Sequence, residues 1–202
     1  MKKITVFLML ICSFTLSTRA QINSASYSTN YNGNSDFSKR GNSSSANHNV
    51  GISISNVIAL TFVSTGNSTG NAVNIPFTSV SDYTNGVTSP VQQLKVESNK
   101  QFNISVNANS PKFTYTGNAT PTPNVFVDNV LALQVIANTT GGAVASVFNN
   151  IAGSISSIAQ NLVSDGSMGG HQTFSLQYKT TPGLTFPSGT YSVAVVYTAS
   201  QK

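Results

Sequence analysis

The sequence predicts an all-β fold, an antiparallel two-sheet β-sandwich with Greek-key connections. Short runs in which apolar and polar residues alternate recur along the chain, as in strands that bury one face. Clusters of Gly, Asn, Ser and Pro break these runs at short, regular intervals. No strand–helix–strand rhythm is present, which favours antiparallel sheets over a parallel one.

The first twenty residues have the pattern of a secretory signal peptide. Lys2 and Lys3 provide the positive charge, residues 6–16 the apolar stretch, and residues 18–20 a small-residue cleavage site. We expect cleavage before Gln21 and export by the general secretory route to the periplasm, the cell surface or the medium. The apolar stretch is too short for a resident membrane helix, and we expect no transmembrane segment in the mature chain.

The composition limits the functions that we expect of the mature chain, residues 21–202. The signal contains three of the ten basic residues and the single cysteine, Cys12, so seven basic and five acidic residues remain, a net charge of +2. A weak, scattered positive charge predicts no nucleic-acid binding. Only 7% of all residues are charged, and a neutral polar surface favours self-association.

The chain divides into a polar extension and a sandwich domain. Residues 21–47 are dominated by Ser, Asn and Gly and predict a flexible N-terminal extension before the domain at 48–202. Val50, Ile52 and Ile54 alternate with small residues, which predicts a half-buried first strand that opens the core. Residues 57–63 form a more continuous apolar run, typical of a strand covered on both faces.

The remaining strands follow the same alternation. Residues 73–78 predict a short edge strand because Pro76 cannot donate a backbone hydrogen bond, and Asn85-Gly86 predicts a tight reversal. The runs at 94–96 and 102–106 are separated by three turn residues and predict a hairpin. Further strands are predicted at 113–115, 130–137, 173–179 and 190–199.

Residues 143–164 fit two structures. Their large apolar residues recur at spacings of three and four, which fits one face of a helix; they are Val147, Ile151, Ile155, Ile158 and Leu162. Gly153 and the neighbouring serines weaken a helix, and short strands near 144–148 and 161–164 are the alternative. We expect one short helix or helical loop here.

The sequence predicts no catalytic, cofactor-binding or metal-binding residues and no enzyme. The acids are scattered, and the two histidines lack the spacing of a metal site. Asp165, His171 and a serine could form a triad by count, so a secreted hydrolase is the less favoured alternative.

Tyrosines are the residues that could hold a sugar, because glycans stack on aromatic rings. Tyr83 is the candidate glycan contact, and a secreted carbohydrate-binding module is the alternative function. Tyr191 and Tyr197 lie six residues apart on the last predicted strand and share a face with Val193 and Val195. Core packing is therefore the expected role of both tyrosines.

The C-terminal segment carries a family resemblance. Residues 186–199 pass from a Pro-x-Gly turn directly into a long alternating strand, with Gly189 as the fourteenth residue counted from the end. This resembles the closing strand of the pilin-like β-sandwiches, which include chaperone-usher pilins and spore coat protein U-type subunits. The resemblance implies an incomplete sandwich whose groove is filled by a neighbouring subunit's extension, with residues 21–47 as that extension.

On this basis we expect an exported structural or adhesive subunit of the cell surface or extracellular space. Its partners would be further copies of itself or a surface glycan. The candidate assembly strand comprises Gly189, Tyr191, Val193, Val195 and Tyr197.

Overall fold

The computed structural model describes residues 44–63, 66, 70 and 72–202. The chain divides into two units, Met1–Ile54 and Ser55–Lys202. In the first unit the described residues, 44–54, are exposed and have no regular secondary structure. The predicted signal peptide and the extension up to residue 43 lie outside the described residues.

Most of the regular secondary structure in the second unit is β-strand. Twelve strands, one α-helix and one 3-10 turn at Val127–Asn129 are present among the described residues. The strands are β1 (Ile58–Phe62), β2 (Val87–Thr88), β3 (Gln92–Ser98), β4 (Phe102–Ala108), β5 (Thr114–Thr116), β6 (Leu131–Asn138), β7 (Ala143–Val144), β8 (Gly153–Ser154), β9 (Gln160–Gly166), β10 (Gly169–Thr180), β11 (Thr190–Ser192) and β12 (Val195–Gln201). The helix, α1, spans Val80–Asn85.

These strands form two main antiparallel sheets and one small one. The first sheet has the order β1-β3-β10-β6-β8, with β2 paired to the end of β10, and the second has the order β12-β4-β9-β7. Strands β5 and β11 form a separate pair. The prediction of an all-β antiparallel sandwich is confirmed.

The core lies between the two main sheets. Leu94 and Val96 of β3 and Ile104 and Val106 of β4 are completely buried. The prediction that these two runs form a hairpin is wrong, because β3 pairs with β1 and β10 whereas β4 pairs with β12 and β9. The turn between them leads from one sheet to the other, so that their apolar rows lie on the two inner faces of the sandwich.

The expected helix within residues 143–164 is absent. The segment instead contains β7, β8 and the start of β9, joined by turns. Ile155 and Leu162 are buried, whereas Val147, Ile151 and Ile158 are more than half exposed. A helix would have placed all five on one face. In the observed strands and turns, only the apolar side chains that reach the core are buried. The alternative of short strands near 144–148 and 161–164 is therefore closer to the structure.

The segment between β1 and β2 also differs from expectation. Residues 72–78 are not a strand, although Val73 and Ile75 are half-buried against the core. Helix α1 follows, and Gly86 ends it with a φ of +76°, a conformation that glycine adopts easily. Ser79 caps the helix by accepting a hydrogen bond from the Asp82 N–H, while the Asp82 carboxylate accepts the Ser79 N–H.

The predicted first strand around Val50, Ile52 and Ile54 is not formed. Residues 44–57 have no strand partner among the described residues, and the first strand begins at Ile58. Alternation alone predicted this strand, but a strand is stable only when a neighbour accepts its hydrogen bonds.

Candidate functional site

The last predicted strand is two strands that belong to different sheets. β11 pairs with β5, and β12 pairs with β4. They separate at Val193 and Ala194, where Asn109 binds the backbone of Ala194 twice, through its main-chain N–H at 2.9 Å and its side-chain oxygen at 3.1 Å. The candidate assembly strand is therefore divided, with Gly189 and Tyr191 beside the small sheet and Val195 and Tyr197 in the second main sheet.

Tyr191 lies in an aromatic cluster rather than in the core, which corrects the prediction from its spacing. Its ring packs against Tyr115 at 5.0 Å and Phe186 at 6.2 Å between centroids. Its hydroxyl donates to the Pro187 carbonyl at 2.8 Å. Gly189 contributes to the cluster by lacking a side chain, because a Cβ there would clash with the Tyr115 ring.

Tyr83, the candidate glycan contact, lies near the same cluster. Its ring packs against Phe77 at 5.2 Å. The pKa of Tyr191 is raised by burial first, then by the proximity of Tyr115 and of Tyr83. Tyr115 and Tyr191 are thus in direct ring contact, whereas Tyr83 is half-buried and has its ring contact with Phe77.

Tyr197 packs against the core, as predicted. It is half-buried on the inner face of β12, and its hydroxyl lies 2.7 Å from that of Tyr178 on β10. Burial raises the pKa of Tyr197 well above its ordinary value, and the neighbouring Tyr178 raises it further. The pair therefore joins the two sheets through neutral hydroxyls.

β12 lies at the border of its sheet, and its outward backbone groups have no partner among the described residues, although the Gln201 side chain donates to the Val57 carbonyl at 2.7 Å. In an antiparallel ladder, successive residues direct their N–H and C=O groups alternately toward the partner and away from it. Asn109 donates to the Ala194 carbonyl and Lys202 to the Gln101 carbonyl, each at 2.9 Å, so the even-numbered residues of β12 face β4. The odd-numbered residues direct their backbone groups outward, and no described residue binds them there; they are Val195, Tyr197, Ala199 and Gln201.

The inner face of this edge is only partly covered. Val195, Tyr197 and Ala199 pack against the core but stay half-buried, whereas their neighbours on β4, Ile104 and Val106, have no exposed surface. The opposite side of the sandwich is closed differently. There Phe148 and Ile155 come from the turns around β8 and are completely buried. The chain thus covers its own core on one side and leaves an apolar rim on the other.

Strand β1 forms the other edge on the open side. Asn99 donates to the Val57 carbonyl and Val63 to the Gln93 carbonyl, so Ile58, Leu60 and Phe62 direct their backbone groups outward. The Phe62 carbonyl already accepts a hydrogen bond from Gly66 at 2.8 Å. On β1, two residues therefore keep both an outward N–H and an outward C=O without a partner among the described residues, whereas four residues of β12 do so.

The segment that precedes the sandwich exposes large apolar side chains. Val50, Ile52 and Ile54 are 86%, 84% and 81% exposed, respectively. Gly51 and Ser53 alternate with them and are exposed as well. These three residues are β-branched and lie at alternate positions of a segment that has no strand partner among the described residues. They are its largest apolar side chains.

Ionisable residues hold structural or solvent-facing positions. Hydrogen bonds from the Thr78 and Ser79 backbone lower the pKa of Asp82. Glu97 pairs with Lys95 at 3.0 Å, and Asp165 pairs with Lys202. His171 is exposed, and no hydrogen bond joins it to Asp165. The structure therefore does not assemble the candidate triad.

In the part of the chain that the structure describes, no three His, Cys, Asp or Glu residues are grouped so that they could hold a metal ion. The helices there are also too short or too polar to cross a bilayer.

Sequence reasoning missed the open edge, because periodicity shows which residues share a face but not which strands lie at the border of a sheet. The absence of charged residues and proline from residues 195–201 is a signal that could have drawn attention to it. Compared with known proteins, the chain matches no family model and no curated protein.

Proposed function

We propose that the protein is an exported structural subunit of the bacterial cell surface that assembles through the open edge of β12. The observation that carries this proposal is that the outward backbone groups of four residues on that strand have no partner in the part of the chain that the structure describes. A free sheet edge is a template for a further strand. The N-terminal signal pattern supports export.

The composition of β12 supports a role in assembly. Monomeric proteins protect exposed edges with charged residues, proline or bulges. The strand Val195–Gln201 contains none of the charged residues and no proline, and its register with β4 is regular. Its inner row is apolar and half-buried. An added strand would therefore gain both main-chain hydrogen bonds and apolar contacts.

The ionisable residues support a non-catalytic role. Asp82, Glu97 and Asp165 each have a structural partner, and no described group converges on His171. General acid–base and nucleophilic catalysis need such groups within hydrogen-bond reach of one another.

Two measurements test the proposal. Fractionation of cells expressing the full chain should place the protein in the envelope or the medium, with Gln21 as its N-terminus by mass spectrometry. Light scattering of residues 21–202 should show a mass that rises with protein concentration. A protein that stays in the cytoplasm, or is monomeric at all concentrations, would rule the proposal out.

A carbohydrate-binding module is the second candidate function, and the aromatic cluster favours it. The half-buried rings of Tyr115 and Tyr191 contact each other, the half-buried ring of Tyr83 packs against Phe77, and aromatic faces stack on sugars. The hydroxyls of Tyr115 and Tyr191 are bound to the chain. In this reading, retention on a polysaccharide column should be lost in Tyr83→Ala and kept in Ile158→Ala, an exposed apolar residue between β8 and β9. Absence of retention on every glycan tested would exclude this function.

A further inference from the structure

A cleft of about 240 Å³ lies where two neighbouring segments pass between the small sheet and the second main sheet. One segment connects β4 to β5, and the other connects β11 to β12. We infer that this cleft binds a sugar carboxylate, that of a uronic acid in an acidic polysaccharide. The inference goes beyond the proposed function, because it assigns a ligand that assembly through β12 does not require.

The cleft forms because the two segments differ in length. Ser192 pairs with Thr114 in the small sheet, and Val195 pairs with Ala108 in the second main sheet. Between these two pairs lie two residues of one segment and five of the other. The additional residues bend the longer segment away from its partner, as in an enlarged β-bulge. A concave surface remains between the two segments.

Hydrogen bonds hold the longer segment in its bent shape. The Ser110 hydroxyl donates to the Lys112 carbonyl at 2.9 Å and accepts the Lys112 N–H at 3.2 Å. The Pro111 carbonyl accepts the Val127 N–H at 2.9 Å. One wall of the cleft is therefore fixed before a ligand binds, which lowers the entropy that binding has to remove.

The cleft presents hydrogen-bond donors that have no acceptor among the described residues. The Asn109 side-chain oxygen accepts the Ala194 N–H at 3.1 Å, which fixes the orientation of the amide and leaves its Nδ2 group without a described partner. The Thr114 hydroxyl likewise has no described partner. The Ser192 hydroxyl makes only a long bond, 3.4 Å, to the Thr114 carbonyl. These three groups are available to a ligand.

One positive charge lies at the cleft. Lys112 lines it, and the Lys112 ammonium group is 4.8 Å from the centroid of the Phe126 ring. This cation–π contact restrains the side chain and leaves the ammonium donors that point away from the ring available. No Asp or Glu lines the cleft, and neither ion pair of the described residues includes Lys112. The cleft therefore favours an anionic group.

A uronic acid matches these groups. Its carboxylate can accept hydrogen bonds from the Lys112 ammonium and the Asn109 amide. Its ring hydroxyls can bind the hydroxyls of Thr114 and Ser192, and its C–H groups can pack against Val193. The volume is below the range of about 300–1,000 Å³ that drug-sized ligands occupy, so the cleft suits one sugar unit of a chain. Nucleic acids need several phosphate contacts, which a single lysine does not provide.

The first experiment tests the class of ligand. Residues 21–202 are titrated calorimetrically with trimers of galacturonate, mannuronate and glucuronate, and we expect saturable binding of at least one. Its methyl ester should bind at least about tenfold more weakly, because esterification removes the charge that Lys112 attracts. Absence of binding for all three trimers, or equal affinity for acid and ester, would overturn the inference. Tighter binding of triglutamate would also overturn it, since the cleft would then select a peptide.

The second experiment tests the location of the site. Lys112→Gln should raise the Kd for the bound trimer at least about tenfold. Lys100→Gln removes the same charge from an exposed residue at the other end of β4 and should change the Kd by less than about twofold. Asn109→Asp keeps the oxygen that accepts the Ala194 N–H but replaces the free donor with a negative charge, so it should also weaken binding at least about tenfold.

All three variants change exposed residues, and their thermal stability should stay close to that of the parent. Equal effects of Lys112→Gln and Lys100→Gln would overturn the inference, because binding would then depend on overall charge. Tyr83 does not line the cleft, so Tyr83→Ala should leave uronate binding unchanged, which separates this site from the second candidate function. The proposed assembly is measured independently by light scattering and stands or fails on that result alone.

Discussion

The hydroxyls of Tyr178 and Tyr197 lie 2.7 Å apart and join the two sheets beside the open edge. Tyr178 belongs to the central strand β10 of the first sheet, and Tyr197 belongs to the edge strand β12 of the second. The Phe62 and Phe174 rings lie within 6.5 Å of the Tyr197 ring. Tyr197 thus links β12, which is also paired with β4 along its length, to three aromatic residues of the first sheet.

This tyrosine pair predicts a loss of stability at high pH. Burial raises the pKa of both hydroxyls above the ordinary value of 10.0. The unfolded chain therefore releases these protons first as the pH rises, and the free energy of unfolding decreases above about pH 10. Denaturant unfolding at several pH values should show this decrease, and Tyr178→Phe combined with Tyr197→Phe should make it shallower.

At neutral pH the same double variant should change stability little, because removing both partners of a hydrogen bond leaves no buried group unpaired. Tyr197→Phe alone should cost about 1 kcal/mol. An unchanged high-pH slope in the double variant would show that other groups cause the decrease.

Phe148→Ala should be strongly destabilising. The ring is completely buried and closes the side of the core opposite to β12. Removing a buried phenylalanine typically costs about 3–5 kcal/mol through lost burial and the remaining cavity. Ile158→Ala is the control, since Ile158 is 77% exposed and its loss should cost less than about 0.5 kcal/mol. Urea unfolding monitored by tyrosine fluorescence measures both, and similar costs would refute the core assignment.

Gly189→Ala should disturb the β5–β11 pair. A Cβ at this position would overlap the Tyr115 ring and approach the Thr116 carbonyl at 2.9 Å, and its φ of +155° disfavours a side chain. We expect faster hydrogen exchange of the Tyr191 amide and a destabilisation of about 1–3 kcal/mol. Gly170→Ala, where the nearest described atom is 4.0 Å away, should leave both unchanged. Unaltered exchange in Gly189→Ala would mean that the ring moves aside freely.

Acidification should release the cap of helix α1. The Asp82 carboxylate accepts the Thr78 and Ser79 N–H groups at 2.7 and 2.8 Å, which lowers its pKa below the ordinary value of 3.8. The stabilisation is therefore present above that ordinary value and is lost as the pH falls through the lower pKa of the folded state. Exchange-corrected amide protection of Ser79 should decrease in that range. Asp82→Asn should show the weaker protection already at neutral pH, and protection equal to the parent would contradict the capping role.

The alternation of residues was sufficient to predict most strands but not their partners. Phe102, Ile104 and Val106 alternate and form β4 as expected. Their neighbours Leu94 and Val96 belong to the other sheet, because three turn residues can either reverse a strand within a sheet or lead it across the core. Apolar and polar residues alternate in both cases, so the local sequence does not distinguish a hairpin within one sheet from a connection between the two sheets.

The sequence predicted the candidate site only in part, because alternation does not show where one strand ends and the next begins. Tyr197 packs on the core as its spacing indicated, whereas Tyr191 does not, because the bonds between Asn109 and Ala194 end one strand and begin another. Asn109 is distant in sequence, so no local pattern identifies it as the cause. Val50, Ile52 and Ile54 have the pattern of a buried face but are exposed, because alternation does not show whether a neighbouring strand is present.

The most direct test of the central claim is the assembled mass of residues 21–202 with the edge of β12 blocked. Ala199→Pro removes one outward N–H without removing a bond to β4, and Ala199→Val adds comparable bulk while keeping that N–H. With both variants folded by circular dichroism, light scattering should show a parent and an Ala199→Val protein that assemble and an Ala199→Pro protein that stays monomeric at the same concentration. Equal masses for the proline and valine variants would contradict assembly through the edge of β12.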